Sequence, residues 1–299
     1  MTALFFLIFH LKKESSKAKK AKSAKQKPTK TVEAPSPKQL EAFQRAQKRS
    51  RELAKKQRQA KVNKKDKFLA SPTRRGKKYN LDLRIHSPAT DSYFSGGGVQ
   101  SVDALVRLAK TKGLHCIAVT DFYNVENIDA VKASSAKTSV NVVPGFDIRC
   151  KVGACEEVFL ITLFPEESTA EQLRKVLAKL GVSGSDYGSP ELVLKQDFSE
   201  VLSVIETAGG VTIPSHIDKT PYRQLAVPAL IEEYGFHAFD LIHVDNTEFF
   251  KEEWPGGEFT FFSFSNANSL AQIGSRVTNI KLPRPGFEGI KEIVQRRSK

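Results

Sequence analysis

From residue 79 onward, short apolar runs alternate with segments whose apolar positions recur at helical spacing. Runs at 80–86, 116–120, 141–149, 158–164, 210–214, 239–244, 258–264 and 277–281 predict strands. Segments 101–112, 169–180, 198–207, 226–234 and 286–296 predict helices. In the first of these, Ala104, Leu105, Leu108 and Ala109 form one apolar face; Ser101 can cap its start and Gly113 can close it. Ser168 and Glu171 are spaced as a capping box for 169–180, which ends at Gly181. Such alternation predicts an α/β body of parallel strands joined by right-handed crossovers.

Several strands end in residues able to bind a cation or a phosphate. Side-chain alternation places Asp82, Arg84 and His86 on one face of the first strand, opposite Leu81, Leu83 and Ile85. Other ends supply Asp121, Asp147, His216, His243 with Asp245, and Asn266 with Asn268. Parallel barrels gather the C-terminal ends of their strands around one shared mouth. His and Asp meeting there form a metal-site composition. Singly, each has a plainer explanation, such as a hydrogen-bonded core histidine or a helix-capping aspartate. A second group is cationic: Lys219 and Arg223, with Arg84 and the loop Ser95-Gly96-Gly97-Gly98, offers donors to an anion.

Charge divides the chain. Residues 1–78 carry 25 Lys/Arg against 5 Asp/Glu, whereas residues 79–299 carry 22 against 28, so an arm of +20 precedes a body of −6. Residues 12–38 are rich in Lys, Ala, Ser and Pro and are predicted disordered. Residues 38–61 predict an exposed, polar helix that forms on binding, and 62–78 a basic linker. The arm has no base-reading motif, so any nucleic-acid contact would be sequence-independent and salt-dependent. The alternative is a solvated tail. The apolar run in MTALFFLIFHLKK is too short to span a bilayer and has its basic residues on the wrong side for a signal peptide, so no stable membrane insertion is expected. It reads as an upstream start or a frayed end, the alternative being a surface anchor. Cys116, Cys150 and Cys155 form neither a disulfide framework nor a paired zinc motif, which fits a reduced, cytoplasmic setting.

Taken in order, the motifs of residues 79–298 resemble the PHP (polymerase and histidinol phosphatase) superfamily. The family's Asp-Leu-His-x-His-Ser/Thr opening is similar to Asp82-Leu83-Arg84-Ile85-His86-Ser87 here. Its Thr-Asp-His is similar to Thr120-Asp121-Phe122, its Pro-Gly-x-Glu to Pro144-Gly145-Phe146-Asp147, and its Ala-His-Pro segment to Ile213-Pro214-Ser215-His216. The closing Ser-Asp-x-His is similar to Ser265-Asn266-Ala267-Asn268. The resemblance implies a distorted (β/α)7 barrel, two or three bound metal ions, and hydrolysis of phosphate esters. This chain departs at the ligands: Arg84 and Phe122 replace histidines, Asp147 a glutamate, and Asn266 and Asn268 the last pair, while Phe159 stands where the family often has a histidine.

Two functions follow as expectations. In one, the body is a depleted, non-catalytic or weakly active PHP-like module with no cofactor, Arg84 offsetting Asp121 and Asp147. It binds a phosphorylated small molecule or nucleic acid, with Arg84, Arg223 and Lys219 as phosphate contacts. In the alternative, His86, Asp121, Asp147 and His216 hold one zinc or manganese ion in a PHP-type phosphoesterase.

Overall fold

A computed structural model describes residues 77–93 and 102–297. The expected disorder and helix of the arm, the loop Ser95–Gly98 and the capping residue Ser101 lie outside the described residues. Eight strands follow in order: β1 (Lys77–Ile85), β2 (Cys116–Val119), β3 (Asn141–Val152), β4 (Cys155–Leu163), β5 (Val211–Ser215), β6 (Ala238–Asp240), β7 (Thr260–Phe262) and β8 (Thr278–Leu282). Between them lie α1 (Val102–Thr111), α2 (Ile128–Ser135), α3 (Ala170–Lys179), α4 (Phe198–Thr207), α5 (Pro221–Gln224), α6 (Val227–Glu232) and α7 (Thr247–Glu253), and α8 (Gly286–Val294) comes last.

The strands form one sheet in the order β7-β6-β5-β4-β3-β2-β1-β8. Two contacts bring its ends together: His86 N–H donates to the Ala267 carbonyl at 2.8 Å, and Ser263 N–H donates to Thr278 Oγ1 at 2.8 Å. The sheet is therefore a nearly closed barrel with helices around it, as the α/β reading requires. It is not wholly parallel. β4 runs antiparallel to both β3 and β5, and β8 runs antiparallel to β1. Only Gly153 and Ala154 separate β3 from β4, and two residues close a hairpin but cannot carry a crossover. The residues between the predicted runs at 141–149 and 158–164 extend both strands up to a two-residue turn at Gly153 and Ala154.

Helix ends follow the turn chemistry. Gly113 and Gly181, with φ of 71° and 74°, lie just past α1 and α3 as expected. The capping box of α3 sits one residue later than predicted: Thr169 Oγ1 accepts from Gln172 N–H and Gln172 Oε1 accepts from Thr169 N–H. Ser168 is unsuited to the role because its own N–H closes a turn to the Pro165 carbonyl. α2, α5 and α7 were not foreseen; α5 and α7 span only 4 and 7 residues, too few for a repeating apolar face.

Within the barrel, Leu81, Leu83, Val143, Ile161, Ile213 and Phe264 share a buried cluster with Phe287, Ile290 and Val294 of α8. Glycine is needed at Gly145, where a Cβ would lie 2.3 Å from the Thr162 carbonyl oxygen. This close β3–β4 approach fixes the position of Asp147, two residues on.

Candidate functional site

Register builds the site. Arg149 on β3 pairs directly with Phe159 on β4, Phe159 with Ser215 on β5, and Ser215 with Asp240 on β6. One row across four strands thus carries a cation, an aromatic ring, a hydroxyl and a carboxylate. Asp147 lies two residues before Arg149, on the same face of β3.

Arg84, at 1% exposure, is at the centre. Its Nε donates to Asp147 Oδ2 at 2.6 Å, and its Nη1 donates to Ser215 Oγ at 2.9 Å and faces His216 Nδ1 at 3.1 Å. Ser215 in turn donates to Asp240 Oδ2, whose other oxygen accepts Phe264 N–H at 3.0 Å. Burial pushes the Asp240 carboxyl up to about 7, against the opposing pull of Arg84 and of the Ser215 hydrogen bond.

A guanidinium can only donate, so His216 Nδ1 accepts and the proton sits on Nε2. That N–H is buried and has no partner; Asp240 Oδ2 at 3.8 Å is out of hydrogen-bond reach. His216 is held below the usual histidine range by burial and then by Arg84, Arg276, Lys219 and Arg223. The imidazole is therefore neutral. His216 also has a φ of 53°, Tyr123 51° and Asn266 49°, so three left-handed non-glycine residues lie in the segments that follow β5, β2 and β7. Such conformations persist where surrounding structure enforces them, commonly at ligand sites.

The predicted residues do not all meet. Asp82 accepts Ser265 and Gly274 N–H, each at 3.0 Å, and ties β1 to the segment between β7 and β8. Arg84 Nε and His86 Nε2 both approach Asp147 Oδ2, at 2.6 and 3.9 Å, while the pairing of β1 with β2 shifts register between Asp82 and Ile85 and Asp82 bonds elsewhere. Asp121 accepts Ser87 N–H at 2.6 Å, Ser87 Oγ at 2.5 Å and Thr90 Oγ1 at 2.7 Å. It clasps the loop after β1, and Arg84 hydrogen-bonds Asp147 instead. His86 stacks on Phe122 with ring centroids 5.1 Å apart, and its Nε2 pairs with Asn266 Oδ1 at 3.2 Å. Burial lowers the His86 pKa and raises that of Asp121. Lys219 is exposed on the turn after β5.

His243 and Asp245 are exposed and outside the site. β6 stops at Asp240, and Asp218 then captures the Ile242 and His243 amides at 2.9 and 2.8 Å, turning the chain outward. Reading that strand to residue 244 concealed Asp240. Arg149 and Glu157 were also missed, although Arg149 sits at the i+2 position from Asp147. Among the described residues, no group of three or more His, Cys, Asp or Glu is gathered to hold a metal ion. A separate cavity of about 380 Å³ opens beside Glu206, Thr212, Tyr234 and Arg296, near the opposite end of β5. It contains none of these residues, and Arg296 there is already paired with Glu206 and the Tyr234 carbonyl.

No family model matches the chain, and no curated protein does. Solved structures do. The lesion-specific endonuclease Q of Pyrococcus furiosus superposes with a TM-score of 0.52 at 19% identity, over 73% of this chain and 56% of its own. A complex of endonuclease Q with a 27-mer duplex bearing an abasic lesion at the active site gives 0.52 at 17% identity, over 72% and 56%. A two-domain protein of Bacteroides vulgatus, described as containing a predicted PHP-like metal-dependent phosphoesterase, gives 0.48 at 13% identity, over 78% and 67%. The body thus shares the barrel fold of the matched part of endonuclease Q. The chain spans about 56% of the endonuclease Q structures it matches.

Proposed function

We propose that the body is a phosphate-binding module in which the Arg84 guanidinium does the charge balancing that metal ions do in PHP-type phosphoesterases. The observation that carries this is the buried Arg84, hydrogen-bonded at once to Asp147 and Ser215 and facing His216. His86 Nδ1 and Asp147 Oδ1 are buried acceptors without partners, as ion ligands would be. Yet the second oxygen of Asp147 already holds Arg84. A divalent ion about 4 Å from that guanidinium would meet a repulsion of about 8 kcal/mol at an effective dielectric of about 20. His216 cannot offset this, because its unpartnered Nε2 carries a proton. The donor set does not fit a metal cluster.

It fits an oxyanion. Arg84 touches Nδ1 of His216, the positive charges of Arg276, Lys219 and Arg223 act on the same imidazole, and its Nε2–H is free. A phosphate there would gain charge-assisted hydrogen bonds. The endonuclease Q complex with duplex DNA supports a phosphodiester-bearing ligand for a barrel of this shape. Metal analysis and an aryl phosphate assay with added manganese test the reading. Protein without stoichiometric zinc or manganese, inert toward the ester and bound by inorganic phosphate, is the expected result. Stoichiometric metal with turnover would establish the single-ion phosphoesterase instead.

A further inference from the structure

Beside the Arg84 centre lies a cluster that the reading above leaves unused. Phe159 is faced by three guanidinium carbons: Arg223 at 4.3 Å, Arg149 at 4.8 Å and Arg84 at 5.1 Å from the ring centroid. Cation–π attraction holds one guanidinium on a ring, but three like charges on one ring repel unless anions separate them. Asp147 serves Arg84. Arg149 and Arg223 share a single carboxylate: Glu157 Oε2 pairs with Arg149 Nη2, and Oε1 accepts from Arg223 Nη2 at 2.7 Å. Arg149 also donates to the Pro190 carbonyl and lies 3.5 Å from the exposed Glu191.

This leaves donors over. Arg149 and Arg223 are 7% and 5% exposed, yet Arg149 Nε and Arg223 Nε and Nη1 have no partner. Buried guanidinium N–H groups are rarely left unpaired, because the desolvation penalty is uncompensated. Glu157 differs from the groups around it: its side chain is 33% exposed and lies two residues before Phe159 on the same face of β4. It can turn out to water without breaking the barrel.

We propose that Arg149 and Arg223, braced on Phe159, form a second phosphate subsite, and that the Glu157 carboxylate occupies it as an internal stand-in that an incoming phosphate displaces. The proposal rests on the phosphate-binding reading of the barrel and extends it to ligands with more than one phosphate. The phosphate can belong to a small molecule or to a nucleic-acid strand.

Calorimetric titration of the full chain with pyrophosphate and with a 5′-phosphorylated oligothymidylate tests it. Glu157→Gln keeps the side chain's shape and removes the competing charge, so affinity should rise about tenfold, equivalent to about 1.4 kcal/mol. Adding Arg149→Gln to that variant should abolish the gain. A gain for both ligands, or for pyrophosphate alone, supports the subsite with a small phosphorylated ligand; a gain for the oligonucleotide alone supports it with a strand. Unchanged or weaker binding by Glu157→Gln overturns it. Arg276→Gln separates the two ideas. If it weakens pyrophosphate binding while Glu157→Gln does nothing, the subsite falls and the Arg84 reading stands. If Arg276→Gln has no effect while the Arg149-dependent gain is seen, the subsite stands and binding around His216 falls.

Discussion

Arg84 shows how one side chain can redirect a site. Its motif position was legible from sequence, and so was the conflict between a permanent cation and a cluster of metal ligands. Its partners were only half legible. Asp147 was foreseen, but Ser215 and Asp240 join it through cross-strand register that strand-by-strand reading does not reveal. Removing the cation strands a buried carboxylate, so Arg84→Met should destabilise the body by about 3–5 kcal/mol in urea unfolding. Arg84→Lys should recover part of that, since one ammonium cannot reproduce the planar fork that reaches Asp147 and Ser215 together. Asp240 adds a pH signature. Its folded-state carboxyl lies near 7 against 3.8 for the free acid, so the folded protein holds a proton that the unfolded chain has released. Stability attributable to Asp240 is therefore fully present below pH 4 and lost as pH rises toward 7. Unfolding of wild type and Asp240→Asn at pH 5 and pH 8 measures it: wild type should lose up to about 2.7 kcal/mol relative to the variant over that range, roughly two pH units at about 1.36 kcal/mol each. The buried histidines shift in the opposite direction but are common to both proteins, so the difference isolates Asp240.

Elements were read more successfully than the way they pair. α4 falls on the residues its apolar spacing predicts, and α1 lies within one residue of its predicted ends. Strand direction was not legible, because periodicity reports which residues face the core and says nothing of which neighbour a strand joins. The β3–β4 hairpin is the clearest case. Its strands run to Val152 and from Cys155, through Lys151, Glu156 and Glu157, beyond the predicted runs that end at 149 and begin at 158. Those charges belong to its outer end, where Arg149 meets Glu157, so the apolar runs stop before the strands do. Gly145 governs the other end of the hairpin. A methyl group there would meet the Thr162 carbonyl, which is backbone and cannot swing aside. Gly145→Ala should cost about 1–3 kcal/mol or more. Because the clash also moves Asp147, phosphate affinity should fall along with the melting temperature. A variant that melts early but binds phosphate normally would show that the hairpin's two ends are uncoupled.

At the scale of the molecule, two oppositely charged parts share one chain: an arm of +20 and a body of −6. Among the described residues, no helix is long and apolar enough to cross a membrane. The body concentrates its buried arginines at the barrel mouth, while the arm carries dispersed lysines and arginines that suit any phosphate polyanion. Binding by the arm, if it occurs through these charges, and the phosphate binding proposed for the body would respond differently to salt. A dispersed arm releases counterions, and neutralising six or more phosphates would lower duplex affinity about 10³-fold or more between 50 and 200 mM salt. A buried pocket binding one phosphate is screened far less. β1 begins at Lys77, which pairs with Leu282, so a chain starting there keeps its first strand intact. Compared with the full chain, it should lose most duplex affinity at low salt and most of the salt slope, while its inorganic phosphate affinity stays within about twofold, a difference under about 0.5 kcal/mol. If the shortened chain kept the full slope, the duplex would be held by the body's own surface. That surface is net acidic, so binding would then have to run through the arginines of the barrel mouth.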